Sequence, residues 1–391
     1  MVSFEKALEI VLGTIRKTGT ERVGFNDSLF RILAEDVRSD VDMPPFDKAA
    51  MDGYACRRDD IGGELEVLEV VAAGQIPSQP VGPGQCTKIM TGAMIPEGSD
   101  TVLMVEHTRE SDAGRIRFTG RATAPNIAYK GEDVKKGDRV LQKGMQILPQ
   151  HLAVLAAVGC VHPLVARQVR VGIMSTGDEL VEPADIPAPG KIRNSNSFQL
   201  AAQVQAAHCI PDYLGIVPDD EDATDKAIAA ALANNDVVLL TGGVSMGDFD
   251  FVPRIMQKNQ VDILFQKVAI KPGRPTVFGK TASSVIFGLP GNPVSSFINF
   301  DTLVKPLLYG MMGHTYRATR VKMPLGVAYR RKKADRLEFI PVTFDTQGQV
   351  IPVSYHGSAH IHAMCLARGI MSIPRGIFEL EKGELADVRP L

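Results

Sequence analysis

The chain has 391 residues, of which 45% are hydrophobic and 23% charged, and its net charge is −2. At roughly 150 residues per domain this length allows two to three domains, each able to bury its own core. The balanced composition, read as lacking a basic block, argues against a nucleic-acid role and makes any anion site a local one.

The five cysteines, Cys56, Cys86, Cys160, Cys209 and Cys365, contain no Cys-x-x-Cys and suit reduced thiols better than a disulfide framework or a zinc site. Glu5 and Glu9 interrupt the apolar N-terminus, so no signal peptide is expected there. No uncharged apolar run approaches the ~20 residues that cross a bilayer. The expected location is the cytoplasm, with no membrane partner.

In chain order, Phe4, Ala7, Leu8, Ile10, Val11 and Ile15 recur at helical spacing behind Ser3, an N-cap type, which predicts an amphipathic helix over 3–17. A short helix is expected over 29–33, capped by Asn26 or Asp27. The prolines of Met43-Pro44-Pro45-Phe46 make the next segment extended or turning, and Asp52-Gly53 signals a turn. Residues 56–130, rich in Gly and Pro with β-prone runs at 65–72, 101–107 and 115–118, predict an all-β module. Inside it, Thr91-Gly92 ends a strand. Thr91 either bonds a ligand oxygen or caps its own turn.

A helix is expected over 150–158 and a strand from 165 running on into Met174. The signals then alternate: strand 169–175, helix 197–208, strand 211–217, helix 222–234, strand 236–241, helix 250–259, strand 262–270, strand 283–288, helix 294–309. Alternation predicts a parallel sheet with helices on both faces, and such folds bind ligands at the carboxyl ends of their strands. After Gly310, alternating stretches at 320–329, 337–344, 350–353 and 370–373 predict a small β domain. His360 and His362 stand two apart, so one helix face cannot offer both to a metal.

Three loops fall at predicted strand ends. In Ser175-Thr176-Gly177-Asp178-Glu179 the adjacent acids form either a solvated turn or a carboxylate pair facing a metal or a ribose. Val237-Val238-Leu239-Leu240 breaks into Thr241-Gly242-Gly243-Val244-Ser245-Met246-Gly247-Asp248-Phe249-Asp250. Here Gly242 and Gly243 permit close ligand approach, and Asp248 caps the next helix or faces a cation, with Asp250 beside it. The lysine and hydroxyl residue of a Walker loop do not follow Gly247. Val285-Ile286-Phe287 breaks into Gly288-Leu289-Pro290-Gly291-Asn292-Pro293, with Asn292 placed for an N-cap, Pro293 for the first helical position, and Ser295 and Ser296 in the first turn. Strand, glycine turn and helix start present free N–H groups to an anion. Between the last two loops, Lys267 and Lys271 are expected on one face of one strand, with Arg274 at the following turn. Three close cations need an anionic partner: a phosphate, an oxyanion, or carboxylates such as Asp52 and Glu179. The residues therefore point to a doubly wound domain binding a multiply charged, phosphorylated ligand, with acids ready for Mg²⁺ or another cation.

Taken together, PPFDKAAMDGYA, KIMTGA, STGDEL, TGGVSMGDFDF, AIKPGRP and GLPGNPVSS, in this order, resemble the molybdopterin molybdenumtransferase family (MoeA and the E domain of gephyrin) over essentially the whole chain. The resemblance implies an α/β plus β multidomain fold: a three-layer α/β molybdopterin-binding domain (168–310), an inserted β-rich region (42–130), a discontinuous N-terminal linking region (1–41 and 131–167) and a C-terminal β barrel (311–391). It implies insertion of molybdate into adenylylated molybdopterin with Mg²⁺, releasing AMP, in a homodimer whose cleft lies between the α/β domain of one subunit and the inserted region of the other. The implied catalytic set is Asp52, Thr91, Glu179, Asp219, Asp250, Lys267 and Lys271. The cradle would be Gly242, Gly243, Ser245, Gly247, Arg274, Pro290, Gly291, Asn292 and Ser295, with Glu179, Asp220, Asp248 and Asp250 as metal-facing acids. Implied partners are the small-molecule substrates, the molybdopterin adenylyltransferase that precedes this step, and chaperones of molybdoenzymes. Lys48-Ala49 departs from the usual Asn-Ser, Thr241 from the usual Ser, and the string at 360–363 from its usual small polar residues. A molybdopterin adenylyltransferase and a non-enzymatic scaffold are the competing readings.

Overall fold

The computed structural model describes residues 1–111, 114–243, 252–354 and 357–391. Its central element is a six-stranded sheet in the order Ile210–Val217, Arg170–Thr176, Val237–Thr241, Val285–Leu289, Pro275–Lys280, Asp262–Lys267. The apolar run Val237–Leu240 explains why it is central. Val237 and Leu239 point into one core, with Phe4–Gly13, Asn196–Ala206 and the helices after Pro293. Val238 and Leu240 point into the other, with Glu221–Asn234 and Val252–Lys258. All four side chains are fully buried, each contributing about 1.5–3 kcal/mol of transfer free energy before chain entropy is charged against it.

The first four strands are parallel, but the expectation of a parallel sheet throughout is corrected. An unforeseen strand, Pro275–Lys280, runs antiparallel to both its neighbours. The cause is the short Thr281–Ser284 link, closed by Thr281 N donating to Ser284 O at 2.8 Å, which can join antiparallel strands but cannot cross over to a parallel one. The expected strand 262–270 also divides. It ends at Lys267, and Ala269 N then donates to Val2 O. Ile270–Lys271 joins a different sheet, so Lys267 and Lys271 do not share a face of one strand.

The expected helix 294–309 is three pieces: Pro293–Asn299, a π turn over Phe300–Val304, and Lys305–Met311. Pro306 has no N–H to give the carbonyl four residues back, which accounts for the local rewinding. The helix expected over 29–33 is absent. A 3₁₀ turn spans Phe25–Ser28, and Ile32 and Leu33 form bridges to Gln146 and Val165, one side chain entering each of two cores. The helix Pro149–Ala157 lies where periodicity placed it; Phe4–Gly13 starts as expected, with Ser3 Oγ accepting from Lys6 N, but stops short of the expected residue 17.

A second six-stranded sheet, ordered Thr101–Met104, Gly53–Cys56, Gln85–Ile89, Glu64–Val71, Arg115–Phe118, Thr108–Ser111, carries its own cores on both faces. Gly53 opens a buried strand and is not a turn residue: a Cβ there would stand 1.8 Å from the Leu103 carbonyl oxygen. The C-terminal residues build a third sheet from Ile270–Lys271, Leu337–Phe344, Gly369–Ile373, Leu385–Pro390 and Val321–Pro324. Val350–Pro352 pairs with its second strand and Leu325 bridges to Val350. No helix among the described residues is long and apolar enough to cross a membrane.

Candidate active site

Three strand ends of the central sheet stand side by side at Thr176, Thr241 and Leu289. The chain turns sharply after each. Gly242 and Gly243 have φ of 94° and 61°, values that L side chains resist. A Cβ on Gly242 would lie 2.4 Å from the Thr176 carbonyl oxygen, and one on Gly243 2.7 Å from Val252 Cγ2. The second loop lies against the first: a Cβ on Gly291 would stand 4.0 Å from Gly242 Cα. Asn196 Nδ2 donates to Gly291 O at 2.6 Å and fixes that turn. Asn292 takes the N-cap position through its backbone, its carbonyl accepting from Ser295 N and Ser296 N at 3.1 Å; its side chain makes no capping bond. Pro293 holds the first helical position, as expected, and Ser295 is buried.

Beneath these turns lies a polar network that periodicity did not disclose. Ser175 Oγ bonds Thr241 Oγ1 at 2.7 Å, Ser197 Oγ at 2.8 Å and Asn194 Oδ1 at 3.1 Å. Asn194 Nδ2 reaches the Tyr213 hydroxyl, which donates to Glu182 at 2.6 Å. Burial, then the bond to Glu182, pushes the Tyr213 hydroxyl up to about 12. The signal available was the Asn194-Ser195-Asn196-Ser197 string across the start of a helix.

The acids separate by role. Asp178 and Asp219 exchange bonds, Asp219 N donating to Asp178 Oδ1 at 3.1 Å and Asp178 N to Asp219 Oδ2 at 3.3 Å. Asp220 Oδ1 accepts from Ala223 N at 2.8 Å and caps Glu221–Asn234. The Glu179 carboxylate folds back over Gly177, within 2.5–2.7 Å of where a Cβ would sit. Ser245, Gly247, Asp248 and Asp250 lie outside the described residues. In the second sheet's region, Asp52 Oδ1 accepts from both Thr91 N and Thr91 Oγ1 at 2.6 Å, and the hydroxyl, followed by the amide, holds the Asp52 carboxyl below its ordinary range. Among the described residues this pair shares neither a sheet nor a core cluster with the glycine turns.

Lys271 lines a cavity of about 460 Å³ with Tyr329, Arg330, Arg331, Lys332, Lys333, Asp335 and Arg336. The expectation of no basic block is corrected: Arg330-Arg331-Lys332-Lys333 is a contiguous basic run in the sequence, and the fold gathers it with Lys271 and Arg336 around one cavity. Lys271 Nζ pairs with Glu338 Oε1 at 2.6 Å, and Glu338 Oε2 meets Arg331 Nη1 at 3.2 Å, with both of the latter side chains buried. Arg336 Nη1 donates to Ile270 O at 3.3 Å, tying the cavity to the segment after Lys267. Lys267 is half-buried and Arg274 exposed. Val294 N donates to Ser358 O at 3.0 Å, so the C-terminal region also touches the Gly291-Asn292 turn.

Three family models match the chain: MoeA N-terminal region (domain I and II) over 2–159, Probable molybdopterin binding domain over 172–310, and MoeA C-terminal region (domain IV) over 324–391. The chain belongs to the molybdopterin molybdenumtransferase family. The Haemophilus influenzae molybdopterin molybdenumtransferase is 37% identical over 384 residues, covering 95% of this chain and 94% of its own, and that of Bacillus subtilis is 33% identical over 401 residues, covering 99% and 93%. The crystal structure of the molybdopterin biosynthesis moeA protein from Pyrococcus horikoshii superposes with a TM-score of 0.87 at 33% identity, covering 100% of both chains. Within this family the glycine turns and the basic cavity stand in the second and third matched segments, and Asp52 and Thr91 in the first.

Proposed function

We propose that this protein is a transferase that inserts molybdenum, supplied as molybdate, into adenylylated molybdopterin and releases AMP. The observation that best supports this is the meeting of two anion-receptive turns, Gly242-Gly243 and Gly291-Asn292, at the strand ends of the central sheet. A separate cavity lined by Lys271 and Arg330–Arg336 is dense in cations. On this reading Lys271 and Arg336, with Lys267 nearby, hold oxyanion charge. They also stabilise charge that grows on the departing phosphate, an effect strongest when the groups are fixed beforehand. Arg274, Pro290 and Ser295 shape the rim of the cradle.

Mg²⁺ would supply additional charge neutralisation at the phosphates. Among the described residues no three acids or imidazoles converge on one point. Glu179 and Asp219 offer hard oxygen donors, which suits an ion that keeps most of its waters and uses one or two carboxylates with substrate phosphates. Asp220 is committed to its cap. Asp52, already ordered by Thr91, has the form of a prepositioned polar group, and we assign it to the cleft of a second subunit in a homodimer. We also read the C-terminal sheet as a barrel, closed through the Leu325–Val350 bridge, and the four domains as bounded near 42, 131, 168 and 311. The adenylyltransferase that makes the substrate and the chaperones that take the product are the proposed partners, all in the cytoplasm.

The test is transfer of the product. Protein, adenylylated molybdopterin, molybdate and Mg²⁺ are incubated and offered to a cofactor-free molybdoenzyme. Reactivation that requires molybdate supports the proposal; equal reactivation without this protein at limiting molybdate defeats it.

A further inference from the structure

Cys56 closes the strand Gly53–Cys56, and Cys86 lies in its antiparallel neighbour Gln85–Ile89, directly opposite in the register. Directly opposed residues of an antiparallel pair point to the same face, with Cα atoms about 4.5–5.5 Å apart. That lies inside the range of about 4.4–6.8 Å that a disulfide spans. Both side chains belong to one core cluster with Tyr54, Leu65, Leu103 and Ile116, and both are fully buried. Burial, and after it the neighbouring Cys86, pushes the Cys56 thiol up to about 12. The other three cysteines stand elsewhere: Cys209 in the core of the central sheet, Cys160 against the cluster around Leu155, and Cys365 exposed. The same two strands carry the Asp52–Thr91 pair. Gly53 stands opposite Ile89, and Asp52 and Thr91 lie just beyond them. The strand pair is thus joined at one end by the bonds from Thr91 to the Asp52 carboxylate and faced at the other by two thiols.

We propose that Cys56 and Cys86 form a dithiol that hydrogen peroxide closes to a reversible disulfide, clamping the strands that carry Asp52 and Thr91. One thiolate attacks the peroxide, the O–O bond breaks, and a sulfenic acid forms; the proton shed by that thiol joins the departing hydroxide as water. The opposed thiol then attacks the sulfenic sulfur. The S–O bond breaks, the S–S bond forms, and the second proton leaves with the hydroxyl as a second water. Two thiols are oxidised and one peroxide is reduced. Peroxide is small and uncharged, which suits entry to an apolar core. The burial that hides these thiols from bulky reagents also keeps the sulfenic acid from every thiol except its partner. Closing the loop from 56 to 86 restricts the unfolded chain, so the oxidised form is the more stable one. The dithiol is independent of the transfer reaction proposed above.

The test uses the full chain carrying Cys365→Ser, which removes the exposed thiol and leaves four. The protein is treated with hydrogen peroxide and unfolded, and its free thiols are titrated. The inference requires the loss of two of the four thiols and a non-reducing peptide map that joins Cys56 to Cys86. It further requires a melting temperature several degrees above that of the reduced protein, with every change reversed by dithiothreitol. Cys86→Val, in the same background, should abolish both the peptide link and the stabilisation, and Cys56→Val checks the same claim from the other strand should the first variant not fold. Peroxide that leaves all four thiols titratable overturns the inference. A disulfide joining any other pair overturns it as well, as does a Cys56–Cys86 bond with no gain in melting temperature.

Discussion

Lys271 and Glu338 form one ion pair, yet removing each partner should have opposite consequences. Glu338 is almost fully buried and lies between two cations, the half-exposed Lys271 at 2.6 Å and the buried Arg331 at 3.2 Å. In Glu338→Ala the Arg331 guanidinium keeps its bonds to the Arg336 and Ile377 carbonyls but loses its only buried counter-charge among the described residues. An uncompensated buried charge costs about 3–5 kcal/mol. In Lys271→Ala the Glu338 carboxylate still has Arg331, and the lost pair is the half-exposed one, which contributes about 0–1 kcal/mol. Urea titration of both variants, followed by AMP release from adenylylated molybdopterin, separates stability from chemistry. Lys271→Ala should unfold nearly as the wild type does and lose most of its turnover. Glu338→Ala should unfold at clearly lower urea. Equal destabilisation by the two, or full turnover in Lys271→Ala, would refute the assignment of Lys271 to the substrate charge.

Gly53→Ala should destabilise by about 3 kcal/mol or more, because its Cβ would overlap the Leu103 carbonyl oxygen at 1.8 Å; Gly13→Ala, with nothing within 4 Å, should stabilise by about 0.4–1 kcal/mol in the same melting assay. Thr91→Val should raise the Asp52 pKa, read by NMR titration. Since the folded carboxyl is depressed below 3.8, its bonds stabilise the fold above the ordinary aspartate range and are lost as pH falls through the folded value, so the stability gap to Thr91→Val should narrow in acid. Of the five thiols, exposed Cys365 should react first with a maleimide at neutral pH, whereas burial pushes Cys56, Cys86 and Cys209 up to about 12 and keeps them protonated. Mixing Asp52→Ala with Lys271→Ala after exchange of subunits should restore about a quarter of wild-type activity if each cleft draws one residue from each chain of a dimer.

Long periodic segments were legible because one interaction dominates them. The strands beginning at Arg170 and Val237 and the helices Phe4–Gly13 and Glu221–Asn234 are each set by burial of an apolar face. The glycine turns were legible because backbone crowding leaves few residue choices. Illegible features depend on contacts distant in sequence. Lys267 and Lys271 alternate like one strand, but Val2 and Leu337 compete for the backbone between and beyond them. The charges at 330–336 become a cavity only once Ile270–Lys271 is laid beside Leu337–Phe344. The Ser175–Thr241–Asn194 network needs three segments brought together at one sheet end. Asp220 looked like its neighbour Asp219 until helix geometry made it a cap.

The central claim is that this chain couples metal insertion to loss of the adenylate. Purified protein with adenylylated molybdopterin and Mg²⁺, assayed for AMP with and without molybdate, tests it most directly. The account predicts AMP release that depends on molybdate and matches the molybdenum bound to pterin mole for mole. AMP release at the same rate without molybdate, or none with it, would contradict it.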